Sequence, residues 1–166
     1  MEDELIDVIN EKNEVIDIEK KSVVLEKNLL RRVVHIMIFN KENKILMQKR
    51  GNVKPSPGKW TSSASGHVSS GEDYFSAAKR ELKEEIGIDV PLKFDGYFRG
   101  NPPASNVIGA LFTGNYDGKF KVDNNEVESI QLFDIDSLKI AIRNNPNIFS
   151  SNFKEAFKLY CRENGE

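Results

Sequence analysis

The stretch GHVSSGEDYFSAAKRELKEEIGI, residues 66–88, decides how this sequence is read. It opens as a loop in which Gly66 and Gly71, lacking a Cβ, permit tight turns or a close backbone approach to a ligand. It continues as a helix. Phe75, Ala78, Leu82 and Ile86 recur at spacings of three and four, which predicts a helix over 74–86 with Gly87 as its C-terminal stop. Glu81, Glu84 and Glu85 share that spacing, so their carboxylates are neighbours on one face, roughly 100° from the centre of the apolar stripe. Three acids at helical spacing are, taken alone, an ordinary solvated face. Like charges this close repel unless a divalent cation neutralises them, and a set of oxygen ligands suits Mg²⁺ or Mn²⁺, which also bind substrate phosphates. Arg80 can hold Glu72 of the loop in a bidentate pair and so brace the loop against the helix.

Outward from this segment, apolar runs bounded by turn residues predict strands over 5–9, 33–39 and 45–48 before it, and over 92–98, 107–113 and 127–133 after it. The polar stretches 10–14 and 40–44 read as hairpin turns. A second helix is expected after Asp136, and a third over 151–162 with Phe153, Ala156, Phe157 and Tyr160 on one face. Residues 51–59 and 100–104, rich in Pro and Gly, read as loops. Strands interleaved with a few helices predict an α/β fold with helices on a mixed sheet. At 166 residues a single domain is expected: an N-terminal strand extension over about 1–30, a core over about 31–135 and C-terminal helices over about 136–166.

Composition narrows the function. Hydrophobic residues make up 39% and charged residues 30%, with 24 Lys+Arg against 26 Asp+Glu, which is ordinary globular usage. No basic excess marks a partner made of nucleic acid polymer. Cys161 is the single cysteine, which excludes an intramolecular disulfide and a cysteine-based zinc cluster and makes reducing surroundings the default. The first residues are acidic and no apolar run approaches the roughly 20 residues a bilayer span needs, so a soluble cytoplasmic protein without membrane contact is expected.

Residues 66–88 resemble the Nudix box of the Nudix hydrolase superfamily: Gly, five residues, Glu, seven residues, Arg-Glu, an aliphatic, any residue, Glu-Glu, any residue, Gly, an aliphatic. The pattern falls on Gly66, Glu72, Arg80, Glu81, Leu82, Glu84, Glu85, Gly87 and Ile88 without a departure. The resemblance implies the Nudix fold, an α/β/α sandwich with a mixed β-sheet. It also implies a diphosphohydrolase in which Glu81, Glu84, Glu85 and the Gly66 carbonyl bind Mg²⁺ or Mn²⁺. In such hydrolases the base is either a box glutamate, here Glu81, or an acid from a later loop, for which Glu126 and Glu128 are the candidates. The expected substrate is a small-molecule diphosphate, first of all a nucleoside diphosphate derivative.

Around the box, residues 33–39, 45–50 and PSPGKWTSSASGH (55–67) resemble the branch that contains type 1 isopentenyl-diphosphate isomerase and its hydrolase-like relatives. The isomerase's catalytic cysteine falls on Ala64, which has no acid to give, and a metal-binding histidine falls on Arg31, which cannot ligate a cation. His67 keeps its counterpart. Hydrolysis is therefore expected over isomerisation, and the single thiol of Cys161 lies far along the chain from the site. A third reading is a nucleotide-sensing module without turnover, although such modules usually lose box carboxylates.

Several neighbours stay open. His67 either contacts metal or phosphate or is hydrogen-bonded within its loop. His35 reads as a packed strand histidine. Lys49 and Arg50 end a strand beside the 51–59 loop, where cations take up phosphate charge, and Lys54 and Lys59 are weaker versions of the same idea. Trp60 reads as core or as a platform for a base. The N-terminal strands and the apolar face of the last helix offer a surface for a homodimer.

Overall fold

The computed structural model describes residues 2–52 and 55–166. Its strands are β1 (Leu5–Ile9), β2 (Val15–Lys20), β3 (Arg31–Phe39), β4 (Ile45–Arg50), β5 (Trp60–Thr61), β6 (Ala64–His67), β7 (Lys93–Arg99), β8 (Val107–Asn115) and β9 (Val127–Phe133). The helices are α1 (Lys21–Glu26), α2 (Tyr74–Ile86), α3 (Ile135–Asn144) and α4 (Ser151–Asn164).

β3 is the axis. It runs parallel to β8 over its whole length and antiparallel to β6 from Val33 to Ile36, while β4 meets it at Phe39 opposite Ile45. β4 continues outward to β5 and β9, and β7 lies on the far side of β8. A sheet that is parallel along one edge of β3 and antiparallel elsewhere is the mixed sheet the sequence predicts. Because successive strand residues point to opposite faces, β3 feeds two cores at once. Val34, Ile36 and Ile38 join Ala77, Ala78, Leu82 and Ile86 of α2, while Val33, Met37 and Phe39 join Phe153, Ala156, Phe157 and Tyr160 of α4. Near-continuous apolarity over 33–39 follows from this two-sided burial.

Since β3 gives one edge first to β6 and then to β4, the sheet opens between those two strands. Ser63 closes the gap there: its hydroxyl accepts from Ile38 N at 2.8 Å and donates to the Leu46 carbonyl at 2.6 Å. Backbone groups that the splayed strands leave unpaired are satisfied by one buried side chain.

Three adjustments to the expected elements have local causes. β3 begins at Arg31 and β4 runs on to Arg50, because β1, β8 and β9 supply pairing partners beyond the apolar runs. β2, α1, β5 and β6 are additional. α3 starts at Ile135, ahead of the expected Asp136. One expectation is corrected: the apolar face of α4 is not a dimer surface, since Phe153, Ala156, Phe157, Leu159 and Tyr160 are buried in the chain's own core. Trp60 packs edge-on against Phe133, with ring centroids 5.4 Å apart, rather than offering a face to a ligand. Among the described residues no helix is long and apolar enough to cross a membrane.

Candidate active site

α2 is fixed at both ends. Asp73 caps it by accepting from Ser76 N at 2.7 Å, and Gly87 ends it with φ at +72°, a left-handed conformation that suits glycine. The face it lays on the sheet consists of Ala77, Ala78, Glu81, Leu82, Glu85 and Ile86. Two glutamates thus lie within the buried stripe, whereas Glu84 is exposed. Phe75, expected in the stripe, sits at its open edge and is 51% exposed, touching Phe112.

Each buried acid has a defined holder. Glu85 Oε1 accepts from the Ser65 N–H at 2.8 Å and from Gln48 Nε2 at 3.2 Å. Glu81 Oε1 lies 2.8 Å from Arg80 Nη1, and that same nitrogen stands 3.4 Å from Glu84 Oε2. Gly66 is pressed against this carboxylate: a Cβ built on it would fall 2.1 Å from Glu81 Oε1.

Arg80 does more than separate acids. Its Nε and Nη2 donate to the two oxygens of Glu72 at 2.9 and 3.0 Å, and Nη2 also donates to the His67 carbonyl at 3.1 Å. Glu72 Oε2 in turn accepts from Ser69 N at 3.0 Å. Burial pushes the Glu72 carboxyl up, but the guanidinium and the Ser69 amide outweigh it and hold Glu72 below the usual carboxylate range. The N-terminal hairpin supports the same loop, with Ser70 N donating to the Leu5 carbonyl at 2.8 Å and Ser70 Oγ bonded to Asp7 at 2.8 Å.

Beside α2 lies a cavity of about 190 Å³ whose wall includes Glu81, Gly66, His67, Arg31, His35 and Arg50, with Ser150, Ser151 and Asn152 from the start of α4. Of the residues singled out in the sequence, Glu81, Gly66, His67 and Arg50 meet here. Lys49 does not: strand direction and a register shift between Lys49 and Arg50 send it outward, where its Nζ is 3.3 Å from Glu128 Oε1. Lys54 lies outside the described residues. Cys161 packs on the α4 core and Ala64 is fully buried, so neither places an acid at this cavity.

Electrostatics separates the cavity's basic groups. Burial lowers Arg50, while Glu85 and Glu126 pull it back up. His35, hydrogen-bonded through Nδ1 to Ser62 Oγ at 2.7 Å, has its pKa pushed down to about 3, by burial first and then by Arg50. Sequence reasoning passed over Arg31 as a site residue, noting it only as a departure from the isomerase pattern. It is 7% exposed and bonds His67 Nε2 through its Nε at 3.2 Å.

The donor set fits a hard divalent cation: the carboxylates of Glu81, Glu84 and Glu85 and the Gly66 carbonyl are all oxygens. Two of the carboxylates already converge on one positive centre, Arg80 Nη1. Among the described residues no group of three acidic, histidine or cysteine side chains stands close enough to enclose an ion, because Glu85 is turned to Ser65 and Gln48.

A mixed sheet between helices, with a glycine loop and an acid-bearing helix clamped beside a polar cavity, defines the class: an α/β domain with a charged site at the edge of one helix. A family model described as the NUDIX domain matches residues 29–153, and the chain belongs to the Nudix family. It is 34% identical over 129 residues to an uncharacterised Nudix hydrolase of Yersinia pestis, covering 76% of this chain and 71% of that one. It is also 30% identical over 159 residues to an isopentenyl-diphosphate Delta-isomerase of Photorhabdus laumondii, covering 92% and 90%. A crystal structure of a Deinococcus radiodurans protein, 20% identical, shares the fold with a TM-score of 0.79 over 95% of this chain and 98% of that one. Membership indicates a hydrolase acting on pyrophosphate bonds, and hydrolases of this family generally use divalent metals.

Proposed function

We propose that this protein is a Mg²⁺- or Mn²⁺-dependent hydrolase that cleaves a diphosphate linkage in a small molecule. The observation that carries the reading is the buried pair Glu81 and Glu85 on α2, with Glu81 in the cavity wall beside Gly66 and the Arg80–Glu72 fork bracing the loop to the helix. Glu81, Glu84, Glu85 and the Gly66 carbonyl would hold the cation. When bound, it would polarise the diphosphate and make an attacking water more acidic. Glu81 then takes the water's proton, with Glu126, close enough to bias Arg50, as the alternative base. Arg80 and Glu72 keep the 66–72 loop at a fixed distance from the helix, so that the Gly66 carbonyl and Glu81 keep their spacing. Arg50 and His67, both in the cavity wall, receive the phosphate oxygens.

A second reading, isoprenoid-diphosphate isomerisation, is favoured by the similarity to an isomerase over most of the chain. Against it stands the expectation, drawn from the resemblance, that Ala64 and Arg31 occupy the positions of the isomerase's cysteine and histidine.

One assay decides among these readings. The protein is incubated with Mg²⁺ and nucleoside triphosphates, dinucleotides, sugar nucleotides or isopentenyl diphosphate, a nucleoside diphosphate derivative being the first class to try, and the assay is repeated with Glu84→Gln. Diphosphate cleavage that falls at least 100-fold in Glu84→Gln is the expected result. Double-bond migration without phosphate release would replace the hydrolase with an isomerase, and saturable binding without product would replace it with a sensor.

A further inference from the structure

Guanidinium groups near this cavity differ in one respect. Arg80 has Glu72, Glu81 and Glu84, Arg32 has Asp7 at 3.9 Å, and Arg50 feels Glu85 and Glu126. Arg31 forms no ion pair among the described residues, and Met1, Val53 and Lys54, which lie outside them, carry no side-chain carboxylate. Every acceptor it uses is neutral: His67 Nε2 at 3.2 Å, Asn28 Oδ1 at 3.2 Å, the Leu29 carbonyl at 3.1 Å and the Asn106 carbonyl at 3.4 Å. A cation on a buried residue is normally paired, because the protein interior replaces the lost hydration poorly. These bonds fix the guanidinium in place without neutralising it.

Its surroundings say what would neutralise it. Arg31 lines the same cavity as Ser151 and Asn152, the first residues of the 14-residue helix α4, whose opening N–H groups have no partner within the helix. Ser105 adds a hydroxyl to the wall, and no Phe, Tyr or Trp among the described residues lines the cavity. Charge, amide dipoles and hydroxyls without an aromatic platform match a tetrahedral or planar oxyanion.

We propose that Arg31, with the start of α4, forms a second oxyanion subsite, so that the preferred substrate is a small diphosphate ester carrying a further phosphate or carboxylate besides the scissile diphosphate. This rests on the hydrolase reading for the diphosphate and on Arg31 alone for the additional anion. Arg31 is a specificity residue, preorganised by His67, Asn28, Leu29 and Asn106, and takes no part in the bond that breaks.

Two measurements test it. Inorganic phosphate is titrated calorimetrically into the metal-free protein in EDTA, comparing wild type, Arg31→Met and Arg31→Lys. Affinity falls at least tenfold in Arg31→Met and is partly restored in Arg31→Lys. With Mg²⁺, kcat/KM is then compared for ribose 1-diphosphate and 5-phosphoribosyl 1-diphosphate. Arg31→Met lowers the value for the 5-phosphorylated ester at least tenfold more than for its partner. Phosphate affinity within twofold of wild type in a folded variant, or equal loss for both esters, overturns the subsite, and Arg31→Lys carries both comparisons if Arg31→Met does not fold. Hydrolysis of neither ester, with phosphate binding still dependent on Arg31, overturns the substrate preference, keeps the anion site and leaves the hydrolase reading to the Glu84→Gln assay. Glu84-dependent hydrolysis insensitive to Arg31 keeps the hydrolase and removes the subsite.

Discussion

The cavity meets an acidic wall at Glu81 of α2, backed by Glu84 and Glu85 on the same helix, and a basic wall at Arg31 of β3 and Arg50 of β4 beside the polar start of α4, and the two balance their charges differently. On the acidic side Glu85 is held by an amide and Gln48, while Glu81 and Glu84 share one nitrogen of Arg80. There each carboxylate has a hydrogen-bond donor, and a single guanidinium serves three of them, Glu72, Glu81 and Glu84. On the other side Arg31 is buried among neutral acceptors and His35 is kept uncharged. The acids of the 81–85 segment stand on the first wall and Arg31 stands on the second. A site divided in this way can keep one reaction while changing what it recognises, because altering the basic wall leaves the holders of Glu81 and Glu85 in place.

The sharpest way to break the acidic wall without touching an acid is Gly66→Ala. The new methyl would fall 2.1 Å from Glu81 Oε1, well inside contact distance, and the carboxylate end must swing away from it. Because the displaced atom is the tip of a side chain, the fold survives, with a melting temperature within several degrees of wild type. The reaction does not survive as well: kcat falls on the order of 100-fold, the loss expected when a catalytic group is misplaced by about 1 Å. Turnover within threefold of wild type would show that Glu81 needs no fixed position against the loop.

His35 tests the basic wall through stability. Its pKa of about 3 in the folded chain, against 6.5 when unperturbed, means that below pH 6.5 the unfolded chain gains a proton that the folded chain refuses. Stability is therefore present above pH 6.5 and is lost as the pH falls towards 3, at about 1.4 kcal/mol per unit. His35→Gln, which retains a partner for Ser62, removes that slope. Urea unfolding at pH 6.5 and 5.0 measures it as the difference between the two proteins. Parallel losses in wild type and variant would mean that His35 titrates normally and that the wall holds a charged imidazole without difficulty.

How far the sequence discloses each wall follows from the range of the interactions involved. α2 and its acids are legible because a helix is set by neighbours three and four residues away, and Asp73, Gly87 and the Arg80–Glu72 pair, eight residues apart, all lie within or beside that one helix. Which acids are buried is not legible. Periodicity groups Glu81, Glu84 and Glu85, but the angle at which α2 docks on β3 and β6 takes two inward and leaves one in solvent. β6 is hidden for the same reason: Ala-Ser-Gly-His carries no strand pattern, and its extended form comes from pairing with Val33–Ile36, some thirty residues earlier. Arg31 is the extreme case. Its acceptors come from residues 28, 29, 67 and 106, so its burial without a counter-charge exists only once the chain has folded.

The smallest effect separates two adjacent residues that the sequence treats alike. Lys49 and Arg50 both end β4, yet Arg50 enters the cavity wall while Lys49 turns to Glu128 at the surface. An exposed lysine–carboxylate pair contributes roughly 0–1 kcal/mol, since water screens it and two flexible side chains must be held together. Lys49→Ala is therefore expected to shift stability by less than about 1 kcal/mol and to change kcat/KM by less than about twofold. Arg50→Ala removes a half-buried cation whose Nε has no hydrogen-bond partner among the described residues and which faces Glu85 and Glu126, so its loss appears in KM as well as in stability. Steady-state kinetics on both variants with a single diphosphate substrate gives the comparison. A Lys49→Ala defect equal to that of Arg50→Ala would mean that the phosphate oxygens reach outside the cavity, across the register shift, and that the basic wall extends onto the exposed end of β4.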